Sequence, residues 1–344
     1  MSGEFRFSFG PWNISEGADC FGPAVRKSIS FDRKLAVYQE LGFGAVQLHD
    51  DDAVPNIGDL SASEIASEAR GLKAKLDNAG LIAEFVAPRL WEDARTVDGG
   101  FTANCPKARE YALERLRKSI DVANELGTDR IVLWLAREGT YVRESKDPVW
   151  ATQKVVEALQ HGIDHDPNVR FLIEPKPNEP VDSAIIPTVG HALALGPLTS
   201  APERVGALIE SAHSILAGLD PSDDMGFALA CGKLWGVHLN DQNGMKYDQD
   251  KAFGSANLRR ALNQVQVLDR HGYGSNGEWV GLDVKALRTQ PEHLATLHLA
   301  NSKATFMRLL EISRSVDEAK CQALIADCDY ESLDRLLLEH LMGA

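Results

Sequence analysis

The 344-residue chain is short of several features that would place it in a familiar class. It has no Walker sequence and no G-x-G-x-x-G after an early strand (Gly272 to Gly277 has that spacing but precedes the last strand run), so neither dinucleotide nor P-loop phosphate binding is indicated. It has no basic excess: 36 Lys and Arg face 50 Asp and Glu, a formal net charge of −14. That argues against non-specific nucleic-acid binding and against docking on anionic membranes. No run reaches the roughly 18 apolar residues of a membrane span, and "MSGEFRFSFGPW" has no apolar core of signal-peptide length. Cysteine is scarce: Cys20, Cys105, Cys231, Cys321 and Cys328 are odd in number and fit no zinc spacing. The expectation is a cytoplasmic protein with reduced thiols. There is no linker and no low-complexity stretch.

What is present is alternation. Short apolar runs at 5–10, 44–50, 81–87, 130–136, 170–175, 204–210, 234–240 and 278–284 read as eight strands. Helical patterns lie between them. One begins after Ser30 and stops at Gly42; another begins at Ser61, with Glu64 at capping-box spacing, and stops at Gly80; a long one runs to Gly127. Others cover "DPVWATQKVVEALQHGI", "SANLRRALNQVQVLDRHG" and "PEHLATLHLANSKATFMRLLEIS", with a weaker one in "DPSDDMGFALACG". Eight strand–helix units predict a (β/α)8 TIM barrel over 1–314, with a charged C-terminal helical tail over 315–344. A doubly wound open sheet is the alternative, and it normally carries a glycine-rich phosphate loop after an early strand, which is missing here.

In such a barrel the site lies at the C-terminal ends of the strands. Strand 2 ends in "HDDD" and strand 4 carries Trp134. Strand 5 ends in Glu174 and Lys176, strand 6 in Glu210 with His213, and strand 7 in His238 before Asp248 and Asp250. Strand 8 carries Asp283. Carboxylates converging on one mouth repel unless cations lie among them. Glu174, Glu210, His238 and Asp283 are expected to hold one ion, and Glu210, His213, Asp248 and Asp250 a second, with Glu210 bridging. Oxygen ligands with one or two imidazoles suit Mg²⁺, Mn²⁺ or Co²⁺, giving two divalent cations per chain. Taken singly each piece has a plainer reading: a surface helix pair for Glu210 and His213, a helix cap for "HDDD", core for Trp134, a surface amine for Lys176. Their joint placement at consecutive strand ends carries the metal reading. Asp241 is expected to support the metal ligands, and Asp50 and Asp51 to be loop groups or groups that back the site from behind.

With these residues the chain resembles the D-xylose isomerases of the shorter type, over about residues 7–290. The matching pieces are "FSFGPW", "CFGPAVR", "HDDDAVP", "DGGFTAN", "LWLAREG", "IEPKPNEP", "PTVGHA", "DQNGMKYDQDKAFG" and "LDVKALRT". The resemblance implies a metal-dependent aldose–ketose isomerase that moves hydrogen between C1 and C2 of an open-chain sugar. It implies that His49 assists opening of the cyclic sugar, that Asp52 orients that ring, and that Lys176 hydrogen-bonds the carbonyl oxygen. It implies that Trp12 and Trp134 wall the pocket and that Phe21 enters the pocket of a neighbouring subunit in a homodimer or homotetramer. The partner implied is a small sugar, with no nucleic acid and no membrane.

Two departures stand out. His238 replaces a family aspartate; it removes a negative charge, favours Mn²⁺ or Co²⁺, and resembles L-rhamnose isomerases and ketose 3-epimerases at this strand end. "FVAPRLWEDARTVDGGF" replaces a stretch rich in Thr and Asn, so that Trp91 stands at a pocket phenylalanine and Ala87 at a substrate-binding threonine. The tail is also shorter than the family's. An epimerase, or a lyase acting on a keto-sugar or glycoside, therefore remains an alternative on the same scaffold, and a non-catalytic sugar-binding protein is a third.

Overall fold

The first helix obeys its local signals. Ser30 accepts a hydrogen bond from the Arg33 main-chain N–H, the helix spans Phe31–Leu41, and Gly42 closes it at φ 66°, where glycine sits without strain. Ser61 and Glu64 form the expected capping box at the start of Ala62–Asn78. The computed structural model, which describes residues 4–244 and 247–343, repeats this unit around a ring. Met245 and Lys246 of the "DQNGMKYDQD" run lie outside the described residues.

The eight strands are β1 (Phe7–Phe9), β2 (Ala45–His49), β3 (Ile82–Ala87), β4 (Arg130–Trp134), β5 (Arg170–Glu174), β6 (Val205–Glu210), β7 (Leu234–Leu239) and β8 (Val280–Leu282). Each falls inside one of the runs expected from sequence. All pair in parallel, and β1 pairs with both β2 and β8, so the sheet closes. The fold is the (β/α)8 barrel, and the open-sheet alternative is excluded by that closure. Three helices were not expected: Asp50–Ala53, Val189–Leu195, which begins inside "PTVGHA", and Ser211–Leu216, which starts directly after Glu210. All are seven residues or shorter, too brief for the repeated period that betrays a helix.

The barrel interior packs Phe85, Ala87, Val132, Leu172 and Leu208. Its floor is polar. The β2–β3 register slips between Val46 and Gln47, passing over Glu84, and Gln47 Nε2 lies 3.2 Å from both Glu84 Oε2 and Ser8 Oγ. Gly281 closes this floor, since a Cβ there would stand 2.4 Å from the Val237 carbonyl oxygen. After Leu297–Ser315 the tail forms Glu318–Ala326 and Tyr330–Met342 around Val316, Cys321 and Leu336. Ion pairs Arg270–Glu318 (2.7 Å) and Arg259–Asp334 (3.1 Å) tie it to the helix Leu258–Arg270. No helix among the described residues is long and apolar enough to cross a membrane.

Candidate functional site

The rim of the barrel is built by chain ends that face the same way. Glu210 is the last residue of β6, and the helix that follows at once places His213 one turn on, with its Nε2 3.2 Å from Glu210 Oε2. Asn240, just past β7, anchors the arrangement. Its Oδ1 accepts the Ala212 N–H at 2.8 Å, and its Nδ2 donates to Glu210 Oε1 (2.8 Å) and Asp250 Oδ1 (3.1 Å). Asp250 adopts φ 43°, a left-handed turn that brings its carboxylate in with that of Asp248. Each aspartate meets its own lysine: Lys176 Nζ lies 3.0 Å from Asp248 Oδ2, and Lys285 Nζ donates to Asp250 Oδ2.

All seven expected metal-ligand residues converge, but not in two separate sets of four. Among these seven, three groupings have ligand atoms within 4.8 Å of one another: Glu174, Glu210 and His213; Glu210, His238 and Asp283; Glu210, Asp248 and Asp250; His49, Asp51 and Asp52 form a fourth apart from them. Glu210 is common to all three. His213 falls in with Glu174 as well as lying 3.0 Å from Asp248. Lys176 and His213 meet the same oxygen of Asp248, Oδ2, each at 3.0 Å. His213 Nδ1, His238 Nε2 and Asp248 Oδ1 are buried with no hydrogen-bond partner. Buried polar atoms are normally satisfied. Unspent nitrogen and oxygen donors around a shared carboxylate are what a divalent cation would use, so the residues present fit one.

The electrostatics agree. Burial and then the carboxylates of Asp248, Asp283, Asp250 and Glu174 push the Glu210 pKa well above its ordinary value. Burial and Asp248 do the same to Asp250, against the pull of Lys285. Burial alone would raise Glu174, but the His238 and His213 imidazoles outweigh it and hold it at about 2. Burial alone would lower His238, but Glu174, 3.4 Å away, carries it up to about 9. In the metal-free protein this pair gives a stability window with two edges. Glu174, depressed from 4.5, contributes fully above 4.5 and loses its contribution as pH falls toward 2. His238, raised from 6.5, contributes fully below 6.5 and loses its contribution as pH rises toward 9. We expect the stability difference between the metal-free protein and its His238→Gln variant to be largest between pH 4.5 and 6.5, as read by denaturant melts in chelator. A difference that keeps growing from pH 6.5 to 9 would contradict the pairing.

Above the carboxylates lies a cavity of about 390 Å³, lined on one side by this cluster and on the other by Trp12, Phe85, Ala87, Trp91, Val132 and Trp134. Trp12 donates to Asp283 Oδ1 at 2.8 Å and stacks on His49 at 4.2 Å. Trp91 meets His49 and Trp134 edge-on, at 5.2 and 4.6 Å. Lys176 Nζ lies 5.1 Å over the Trp134 ring. His49 and Lys176 line the cavity, and so does Trp91, whose position had rested on loop spacing. Asp52 does not line it; it sits behind, 3.2 Å from His49 Nδ1. Phe21 is 91% exposed on a hairpin outside the cavity, with Arg288 Nη1 bonded to the Gly17 and Gly22 carbonyls.

Some residues were missed or misplaced by sequence reasoning. Arg89, Glu92, Glu179 and Lys285 also line the cavity. Lys285 had a signal, since it follows Asp283 by two residues and so shares its side of an extended chain. Arg89, in an irregular loop, had none. Asp241 does not support the metal ligands: its Oδ2 accepts the Ala256 and Asn257 N–H groups at 2.7 and 2.9 Å, shaping the entrance to the next helix. Of the two roles expected for Asp50, the structure gives it the one behind the site, where it also takes the Arg89 main-chain N–H at 3.1 Å. It is wholly buried and clamped by Arg115 at 2.5 and 2.7 Å and by Ser119 at 2.9 Å.

Residues 35–295 match the family model described as a xylose isomerase-like TIM barrel. Among solved structures, the fold is similar to that of a D-tagatose 3-epimerase-like protein (TM-score 0.65, 16% identity, covering 90% of this chain and 98% of that one). It is similar to 3-keto-D-glucoside 4-epimerase from E. coli (0.63, 13%, covering 88% and 99%). It is also similar to a xylose isomerase domain protein from Alicyclobacillus acidocaldarius subsp. acidocaldarius (0.61, 14%, covering 91% and 100%). At these identities the likeness is one of fold.

Proposed function

Because the chain belongs to the xylose isomerase-like TIM-barrel family, we propose that it is a metal-dependent aldose–ketose isomerase of open-chain sugars. The observation that carries this reading is the Glu210 carboxylate, shared by three ligand groupings beneath an aromatic wall, with Lys176 beside them. Glu174, Glu210, His238 and Asp283 would hold one divalent cation, and Glu210, His213, Asp248 and Asp250 another. Mn²⁺ or Co²⁺ would be preferred to Mg²⁺, because His238 supplies a neutral nitrogen where a further carboxylate would favour the harder ion. Such cations act as Lewis acids that polarise a carbonyl and ease ionisation of a hydroxyl.

The protein's own groups do the rest. Burial opposes the charge of Lys176, but Asp248, Glu210 and Glu179 override burial and raise its pKa, so its ammonium is a fixed donor for a developing negative oxygen. Trp12, Trp91 and Trp134 cover the C–H face of the sugar and exclude water, which strengthens every charge interaction inside. The partner is a small sugar, and the exposed Phe21 favours assembly with further copies of the chain as a homodimer or homotetramer. Neither nucleic acid nor membrane is a partner in this reading.

A second reading is an epimerase, or a lyase acting on a keto-sugar or glycoside. The His238 imidazole at the end of β7 favours it, as do the names of two of the similar structures. The test is a panel of xylose, glucose, ribose, lyxose, rhamnose and allose, with Mg²⁺, Mn²⁺ or Co²⁺ in turn, scored for the matching ketose. Turnover of at least one aldose is expected, best with Mn²⁺ or Co²⁺. No ketose from any aldose, with metal demonstrably bound, would remove the isomerase reading and leave the second.

A further inference from the structure

Asn13, next to the cavity-wall residue Trp12, has no task in the scheme above. It is wholly buried, in the single turn Pro11–Asn13 that follows β1. Its side chain makes two hydrogen bonds, both to main chain. Oδ1 accepts the Val284 N–H at 2.6 Å, and Nδ2 donates to the Gly10 carbonyl at 3.0 Å. The Asn13 N–H donates to the same carbonyl at 2.9 Å, and the Asn13 carbonyl accepts from His298 Nε2 at 2.9 Å. These partners fix which way round the amide lies, since an N–H needs an oxygen and a carbonyl needs a donor. An ionised aspartate would keep only the first bond, and a leucine neither.

The two bonds bracket a third. The Trp12 indole lies so close on the Gly10 main chain that a Cβ there would stand 2.1 Å from its ring carbons. Val284 directly follows Asp283, and Trp12 Nε1 donates to Asp283 Oδ1 at 2.8 Å. One amide therefore fixes both the main chain under the indole and the main chain beside the carboxylate. Buried main-chain groups must keep partners, so loss of the amide forces one or both segments to move. Asn240 does the matching work on the far side of the cluster, where its amide joins the Ala212 N–H to Glu210 and Asp250.

We propose that Asn13 is a positioning residue that sets the Trp12 indole against Asp283, so that the indole holds Oδ1 and the carboxylate keeps Oδ2 for a cation. The cation half rests on the metal reading above; the indole half does not.

Nitrogen-15 NMR of the metal-free full chain reads the indole, with the Trp12 N–H assigned by Trp12→Phe. In the wild type we expect that N–H to be protected from solvent exchange. In Asn13→Leu we expect its signal to move and the protection to be lost. Calorimetric titration with Mn²⁺ reads the carboxylate: we expect binding about tenfold weaker in Asn13→Leu, the lower end of the effect for groups that orient metal ligands from behind. An asparagine that only stabilised the fold would lower the melting temperature of the variant and move neither value. A folded Asn13→Leu with wild-type indole exchange, or with wild-type Mn²⁺ affinity, overturns the proposal. Should that variant fail to fold, Asn13→Asp is read in the same way, and a Trp12 indole that exchanges freely in the wild type overturns the proposal outright. The indole readout needs neither metal nor substrate, so its failure is distinguishable from that of the isomerase reading.

Discussion

Replacing Glu210 by glutamine will abolish divalent-cation binding and lower turnover by about three orders of magnitude, roughly 4 kcal/mol of transition-state stabilisation, while the barrel stays folded. Glutamine keeps the shape of the side chain and the oxygen that accepts from Asn240 at 2.8 Å. It removes the charge common to all three ligand groupings. Without metal that charge is a burden, since burial and four neighbouring carboxylates already disfavour it. The metal-free variant should thus melt no lower than the wild type. The wild type with cation at 100 times its dissociation constant should gain about 2.7 kcal/mol of stability, and the variant none. Differential scanning fluorimetry with and without Mn²⁺ reads both. A variant that keeps the wild-type metal-induced shift would refute Glu210 as the shared ligand.

Arg115→Met should cost about 3–5 kcal/mol of folding stability, the usual effect of leaving one partner of a buried ion pair alone. Arg115 holds both oxygens of Asp50, a carboxylate with no exposure to solvent. Ser119 and the Arg89 main chain remain as partners, but neither carries a compensating charge. Asp50→Asn in the same chain should restore much of the loss, because the amide needs no counter-ion. Denaturant midpoints of the single and double variants measure this. A loss below about 1 kcal/mol, within the range of ordinary substitutions, would show that water or another group reaches Asp50.

The two variants separate what could be read from the chain and what could not. Glu210 was legible: it ends an apolar run, and a (β/α)8 barrel gathers strand ends at one face. His238 was legible for the same reason. The role of Asp50 was not, although "HDDD" drew attention. Asp50, Asp51 and Asp52 are adjacent in sequence and alike in chemistry, yet one is clamped by Arg115, one is half-buried beside Arg89, and one backs His49. Adjacency in a short helical turn sends neighbours in different directions, and which partner each meets depends on a helix some sixty-five residues away.

By itself the sequence determined the order of the eight strands and of the longer helices, the caps at Ser30, Gly42, Ser61 and Glu64, and the set of carboxylates and imidazoles at the rim. Those signals are local: a two-residue strand period, a capping hydroxyl, a glycine at positive φ. Tertiary structure alone decided that Glu210 is shared three ways, that Lys176 and Lys285 divide the two aspartates, that Asp241 serves a loop, and that Arg89 faces His49. These are meetings between loops from different strands. Their distances follow from barrel closure and loop course, to which spacing along the chain is blind.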